Sequence, residues 1–212
     1  MFITFEGPEG SGKSSQIKQL ALFLESRGFT VMATREPGGT PIGDQIRDCL
    51  HDVANTDMVP PTEFLLYSAS RAQLVQTLIR PALELGTIVL CDRYADSTIA
   101  YQGYGRGLDL SDLGRITRFA TGGLTPDLTF LLDIDVERGL ARRVEGAAEM
   151  NRLDLEAVAF HQRVREGYHQ LAKLDPQRWV FVDADRAQDA VQAELQEIFS
   201  ARSALLAIPD VE

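Results

Sequence analysis

Cysteine, histidine and tryptophan are scarce in this chain of 212 residues, which has two, three and one of them respectively. Cys49 and Cys91 stand far apart without partner spacing. That argues against a disulfide framework or a zinc site and points to a reducing compartment. His51, His161 and His169 fall in helical patterns and read as surface or packing residues, so neither a nucleophilic Ser/His/Asp set nor a metal cluster assembles. No apolar run approaches the roughly 20 residues that span a bilayer, and no basic region leads into a long apolar stretch at the N-terminus. The expectation is a cytoplasmic protein with no membrane attachment. Positive charge is also short: 21 Lys+Arg face 31 Asp+Glu, a formal net charge of −10. This balance argues against a general nucleic-acid surface, so any bound phosphate must be met by local cations.

What is present is ordinary globular material, 44% hydrophobic and 25% charged. Short apolar runs at 2–5, 30–34, 87–91, 128–134 and 179–182 read as buried strands. Helical patterns separate them, at 16–26, 42–50, 61–84, 94–101, 111–120, 154–173 and 187–200. Pro81 lies inside the 61–84 pattern and should kink or end it. Alternating β and α elements predict a parallel sheet. No repeat, linker or low-complexity tract divides the chain, so one domain over residues 1–212 is expected, with an irregular excursion near 143–153 around VEGAAEMNRLD. The excursion lacks an apolar face.

The strongest chemical signal is EGPEGSGKS at 6–14. Gly7, Gly12, Lys13 and Ser14 fit the G-x-x-x-x-G-K-[ST] phosphate loop, with a strand before it and a helix after it. Such a loop works because backbone N–H groups from Gly7 through Ser14, across Glu9, Gly10 and Ser11, converge at a helix N-terminus whose dipole favours an anion; Pro8 contributes shape but no donor. Lys13 would neutralise the β and γ phosphates of a nucleoside triphosphate, and the Ser14 hydroxyl would ligate Mg²⁺.

Three further stretches bear on function. Asp92 and Arg93 follow the strand 87–91, at the carboxyl edge where α/β sheets place ligand chemistry; an acid there holds Mg²⁺ in phosphate-loop enzymes, or it simply pairs with a neighbouring cation. TREPGGT at 34–40 reads as a turn leading to a helix with Arg47, which could equally pair with Asp44 on the surface. Tyr67 and Arg71 are four apart, so ring and guanidinium share a helix face, an arrangement that suits a stacked base or an ordinary core residue with a cation at its rim.

Taken together, EGPEGSGKS, TREPGGT, FLLYSASR, DRYADSTIAYQG, PDLTFLLD and NRLDLEAVAFHQRVREGY, in this order and spacing, closely resemble the bacterial thymidylate kinase family over nearly the whole chain. The resemblance implies a three-layer phosphate-loop nucleoside monophosphate kinase fold, with a five-stranded parallel sheet surrounded by helices and a mobile lid at about 142–153. It further implies a homodimer that converts dTMP to dTDP with ATP and Mg²⁺, with no nucleic-acid partner. The loop from Gly7 to Ser14 would bind ATP, and Ser14 and Asp92 would serve the metal. Glu9 would meet the 3′-OH region of dTMP, Arg47 and Arg93 its phosphate, Tyr67 the face of thymine and Arg71 the O4 edge. Thr98 and Gln102 would lie along the polar side of the base, and Tyr101 under the sugar, where its ring would exclude a ribose 2′-OH. Lys13 and Arg93, with lid arginines Arg152 and Arg142, would act on the transferring phosphoryl group, Arg152 being favoured.

Two departures from the family pattern stand out. Gly10 occupies a position where some members carry an arginine, so the lid must supply that cation, and Ala147-Ala148 replace a basic residue frequent in other lids. Tyr67 stands where phenylalanine is more usual. The competing functions are a kinase for another nucleoside monophosphate and a GTPase-like switch; the latter needs an N-K-x-D or T-K-x-D element, which the sequence lacks.

Overall fold

The structure, a computed structural model, describes residues 1–146 and 150–205. Five strands, β1 (Phe2–Glu6), β2 (Val31–Arg35), β3 (Ile88–Asp92), β4 (Leu128–Asp133) and β5 (Trp179–Asp183), form one sheet in the order β2-β3-β1-β4-β5. Every neighbouring pair is parallel, with Ile3 opposite Leu90 on one side and Leu128 on the other. A parallel sheet needs cover on both faces, and the alternation of side chains along β1 provides the apolar surface for it. Ile3 and Phe5 face α1 (Lys13–Ser26) and α9 (Gln188–Leu205) through Leu20, Leu24, Leu195 and Phe199. Phe2 faces the opposite way, among Leu74, Val75, Ile79 and Tyr94. Thr4, which shares that side, is buried and satisfied by a 2.8 Å hydroxyl contact with Thr129. This is the expected five-stranded parallel sheet between helical layers.

β1, β3 and β5 run one residue beyond their apolar runs, to Glu6, Asp92 and Asp183, whereas β4 stops one residue short of its run, at Asp133. Polar groups thus collect along the carboxyl edge.

The remaining helices are α2 (Pro41–His51), α3 (Pro60–Leu74), α4 (Arg80–Glu84), α5 (Ala95–Thr98), α6 (Leu110–Thr121), α7 (Val136–Glu145) and α8 (Val158–Leu174). Pro81 has its expected effect in a particular form: α3 and α4 join through a π-helical turn, Val75–Ile79, in which Arg80 N–H donates to Val75 O. The wider turn carries the chain past the proline, which has no N–H to give. A second π-helical turn, Ile99–Gly105, replaces the end of the expected 94–101 helix, and Arg106 N–H donates to Tyr101 O at 2.9 Å.

Helix α7 was not anticipated by periodicity. It buries only Val136 and Gly139, so it carries no apolar stripe, and its start is fixed instead by Asp135, whose Oδ1 accepts from Glu137 and Arg138 N–H. The expected helix start at 154 moves to Val158, because Asn151 Oδ1 accepts from the N–H groups of Leu153 and Asp154 and holds that segment as a turn. α7 thus extends to Glu145 and a hydrogen-bonded turn follows at Asn151, with Leu153 buried; Ala147 and Ala148, and the end of the tail beyond Leu205, lie outside the described residues.

Candidate active site

The chain leaves β1 at Glu6, turns through Gly7 to Gly12 and enters α1 at Lys13. Gly12 caps that helix at φ 84°, a left-handed conformation that glycine adopts freely. The loop lies backbone to backbone against α7. A Cβ on Gly10 would stand 2.0 Å from Gly139 O, and one on Gly139 would stand 2.3 Å from Glu9 O. The arginine that some family members carry at position 10 therefore has no room here. Lys13 Nζ folds over its own loop, donating to Gly7 O at 3.1 Å, Pro8 O at 2.8 Å and Ser11 Oγ at 3.1 Å. Burial, reinforced by Arg93, lowers its ammonium to about 8, against the pull of Glu9 and Asp92.

Asp92 and Arg93 part at the end of β3. Asp92 Oδ2 accepts from Ser14 Oγ at 2.6 Å, which brings the two expected metal ligands together. Arg93 sits at φ 65°, an uncommon conformation for a side-chain-bearing residue, and this turns its guanidinium back onto the loop. There NH1 donates to Gly7 O at 3.0 Å and Tyr168 OH at 2.9 Å, and NH2 pairs with Glu9 Oε1 at 2.8 Å. Tyr101 OH donates to the same Glu9 oxygen at 2.8 Å, and its ring lies 4.9 Å beneath the Arg93 guanidinium. Burial alone would raise the Glu9 carboxyl; Arg93 and Lys13 outweigh it and hold the group at about 2. Loop, cation and ring form one charged unit.

These groups border a cavity of about 370 Å³. The same cavity is lined by Arg47, Tyr67, Arg71, Thr98, Tyr101 and Gln102, six side chains singled out in the sequence. Arg47 does not pair with Asp44, which Arg35 takes at 2.9 Å; its NH1 donates instead to Pro37 O at 3.0 Å. Arg71 is buried and closely bound: Nε donates to Glu36 Oε2 at 2.7 Å, NH1 to Thr98 Oγ1 at 2.8 Å and NH2 to Tyr94 O at 3.0 Å.

The lid arginines fall in different places. Arg142 borders no part of the cavity; it donates to Ala184 O at 2.9 Å and pairs with Asp185 at 3.0 Å. Nor does Arg152, which pairs with buried Glu63 and donates to Leu50 O at 3.3 Å. Arg143 does border it, while paired with Asp154 at 3.0 Å, as do Asn151 and Leu153. Glu36 and His51 are further lining groups that carried no assigned role in the sequence. His51 lies four residues after Arg47, a spacing that could have found it; burial, with Arg47 beside it, depresses its imidazole to about 4.

A phosphate loop at the head of this parallel sheet, sharing one cavity with Arg47, Tyr67, Arg71 and Gln102, defines a protein of the phosphate-loop nucleoside monophosphate kinase class. Comparison with known proteins narrows the class. A family model described as thymidylate kinase matches residues 5–195. A thymidylate kinase of Thermomicrobium roseum is 56% identical over 201 residues, covering 93% of this chain and 95% of the relative. Another, of Deinococcus radiodurans, is 52% identical over 202 residues, covering 95% and 97%. Among solved structures, the thymidylate kinase of Ehrlichia chaffeensis is similar at a TM-score of 0.77 and 33% identity, over 94% of this chain and 98% of that one. The chain belongs to the thymidylate kinase family.

Proposed function

We propose that the protein transfers the γ-phosphoryl group of ATP to dTMP, yielding ADP and dTDP. The observation that carries this reading is the single cavity that the phosphate loop shares with Arg47, Tyr67, Arg71 and Gln102. A triphosphate enters over Gly7 to Ser14, and Lys13 exchanges its three loop acceptors for phosphate oxygens. Arg93 and Arg47 take the acceptor phosphate from two sides. The attacking group is itself a phosphate oxygen, so the site needs alignment and charge neutralisation rather than a strong base.

Tyr67 stacks on thymine and Arg71 donates to O4. Of the five N–H groups of Arg71, Nε, both on NH2 and one on NH1 are already directed at Glu36, Tyr94 O and Thr98, which leaves one on NH1 for a ligand. Thr98 and Gln102 complete the polar edge. Glu9 reaches the 3′-OH region, and the Tyr101 ring fills the space that a 2′-OH would need. An apolar pocket alone rejects an added hydroxyl by only about a hundredfold, so a ring occupying that volume matters.

Ser14 and Asp92 fit Mg²⁺: one hydroxyl and one carboxylate 2.6 Å apart are hard oxygen donors of the kind that hold this ion together with substrate phosphates. Ser14 and Asp92 would hold the ion, which would supply neutralisation of phosphate charge when bound. The residues near 142–153 act as a lid within one domain, and Arg143, which already borders the cavity, supplies the cation that Gly10 cannot. All three arginines have acidic partners, Arg143 with Asp154, Arg152 with Glu63 and Arg142 with Asp185, and Arg143 is distinguished by bordering the cavity where it stands. We place the enzyme in the cytoplasm as a homodimer, as the family resemblance implies; among the described residues no helix is long and apolar enough to cross a membrane.

The test is ADP formation from ATP and Mg²⁺ with each nucleoside monophosphate as acceptor. Fast turnover confined to dTMP, with weaker use of dUMP, supports the reading. Acceptor-independent ADP release or a purine preference overturns it. Sedimentation velocity tests the dimer.

A further inference from the structure

Below the base-facing wall of the cavity, α3 buries a carboxylate that no part of the proposed reaction uses. Glu63 Oε1 accepts from Gln102 Nε2 at 2.9 Å and Arg106 Nε at 3.2 Å. Its Oε2 accepts from Arg106 NH2 at 3.0 Å and closes on Arg152 NH2. Burial alone would raise this carboxyl, but the hydrogen bonds from Arg106, Gln102 and Arg152 outweigh it and hold the group below the usual carboxylate range. At neutral pH it is therefore an anion that can only accept.

An acceptor-only partner fixes a primary amide one way round. Gln102 must turn its NH₂ toward Glu63, and its carbonyl oxygen is the atom that remains for the cavity it lines. Nearby, Arg71 contributes the opposite polarity, its one remaining N–H. A donor beside an acceptor complements a pyrimidine that presents a 4-carbonyl next to an N3–H. It is the reverse of what a 4-amino pyrimidine presents, which would bring donor against donor and acceptor against acceptor.

We infer that Glu63 is a positioning residue for acceptor choice: acting through the Gln102 amide, its carboxylate makes the pocket accept a 4-oxo pyrimidine and reject a 4-amino one. The inference rests on the dTMP reading of the site. Sites built to hydrogen-bond a ligand reject a mismatched one strongly because buried polar groups are then left unpaired.

The test compares kcat/KM for dTMP and dCMP in the full-length enzyme and in Glu63→Gln. The substituted amide can donate as well as accept, so Gln102 is free to turn over. The dTMP-to-dCMP ratio should fall about tenfold or more, the scale of one well-placed hydrogen-bond pair, with the KM for ATP unchanged. A merely structural role would lower both rates together and leave the ratio alone, because the ratio does not depend on how much enzyme is folded. An unchanged ratio overturns the inference and leaves the dTMP reading standing; a parent enzyme that does not turn over dTMP overturns the reading itself. Should Glu63→Gln give no soluble protein, N3-methyl-dTMP is offered to the parent enzyme. At least about a tenfold loss is expected, and turnover equal to dTMP overturns the inference.

Discussion

Arg71 and Glu36 form a closed ion pair in the cavity wall, with Nε 2.7 Å and NH2 2.6 Å from the same carboxylate oxygen, and both side chains are excluded from water. Burial works against the arginine's charge, and the Glu36 carboxylate outweighs it, raising the Arg71 pKa. The other oxygen, Oε1, is buried with no hydrogen-bond partner among the described residues. Such a pair aims a guanidinium rigidly and makes the fold dependent on it.

Arg71→Ala should therefore act twice. It leaves Glu36 buried without its counter-charge, a loss of about 3 to 5 kcal/mol that urea denaturation will register. In initial-rate kinetics it should raise the KM for dTMP far more than that for ATP. Equal rises in both would contradict the base-edge assignment.

Lys13 predicts a pH dependence. Its cation, depressed to about 8 chiefly by burial, is lost in the free enzyme as pH rises through that value, so kcat/KM for ATP should fall along an alkaline limb near pH 8. In the ternary complex phosphate oxygens favour the charged form, and kcat should hold to higher pH. Stability runs the other way: the unfolded lysine binds a proton that the folded one releases, so this group's contribution becomes more favourable between about 8 and 10.5. Lys13→Ala should abolish turnover with the circular-dichroism spectrum intact; near-normal turnover would remove its assigned role.

Two glycines in helices should respond oppositely to alanine. Gly114 on α6 has open space where a Cβ would go, so Gly114→Ala should stabilise by about 0.5 to 1 kcal/mol through helix propensity. Gly139→Ala places its methyl 2.3 Å from Glu9 O, and should instead lower stability and slow turnover by displacing the loop. Denaturation midpoints for the pair decide it; a stabilised Gly139→Ala would show that the loop yields freely.

The lid cation can be located by comparing Arg143→Ala with Arg152→Ala at saturating ATP and dTMP. Removal of a transition-state arginine costs about 10³ to 10⁵ in rate, and that loss is expected for Arg143. Arg152→Ala should show a smaller change in kcat. The reverse order would mean that closure exchanges Glu63 for the phosphoryl group at Arg152.

The sheet was legible because its strands are short, apolar and bounded, and the phosphate loop because its spacing is dictated by the backbone. The cavity wall was legible at Tyr67, Arg71, Thr98, Tyr101 and Gln102 through the family motifs that contain them. Helix α7 was not, since it meets the loop through a glycine rather than an apolar stripe, and hydrophobic periodicity is blind to backbone packing. The lid assignments were the least legible. Whether Arg142, Arg143 or Arg152 reaches the cavity depends on Asp185, Asp154 and Glu63, acids up to 89 positions away in the chain.

The crossing of Gly10 over Gly139 means that loop and helix cannot be inherited separately. A chimera that imports an arginine-bearing loop must import a matching α7, with whatever lid that helix carries, or its two halves will collide. In this chain a side chain at position 10 is thus decided at two places at once, since the loop and α7 are joined where two peptide backbones touch.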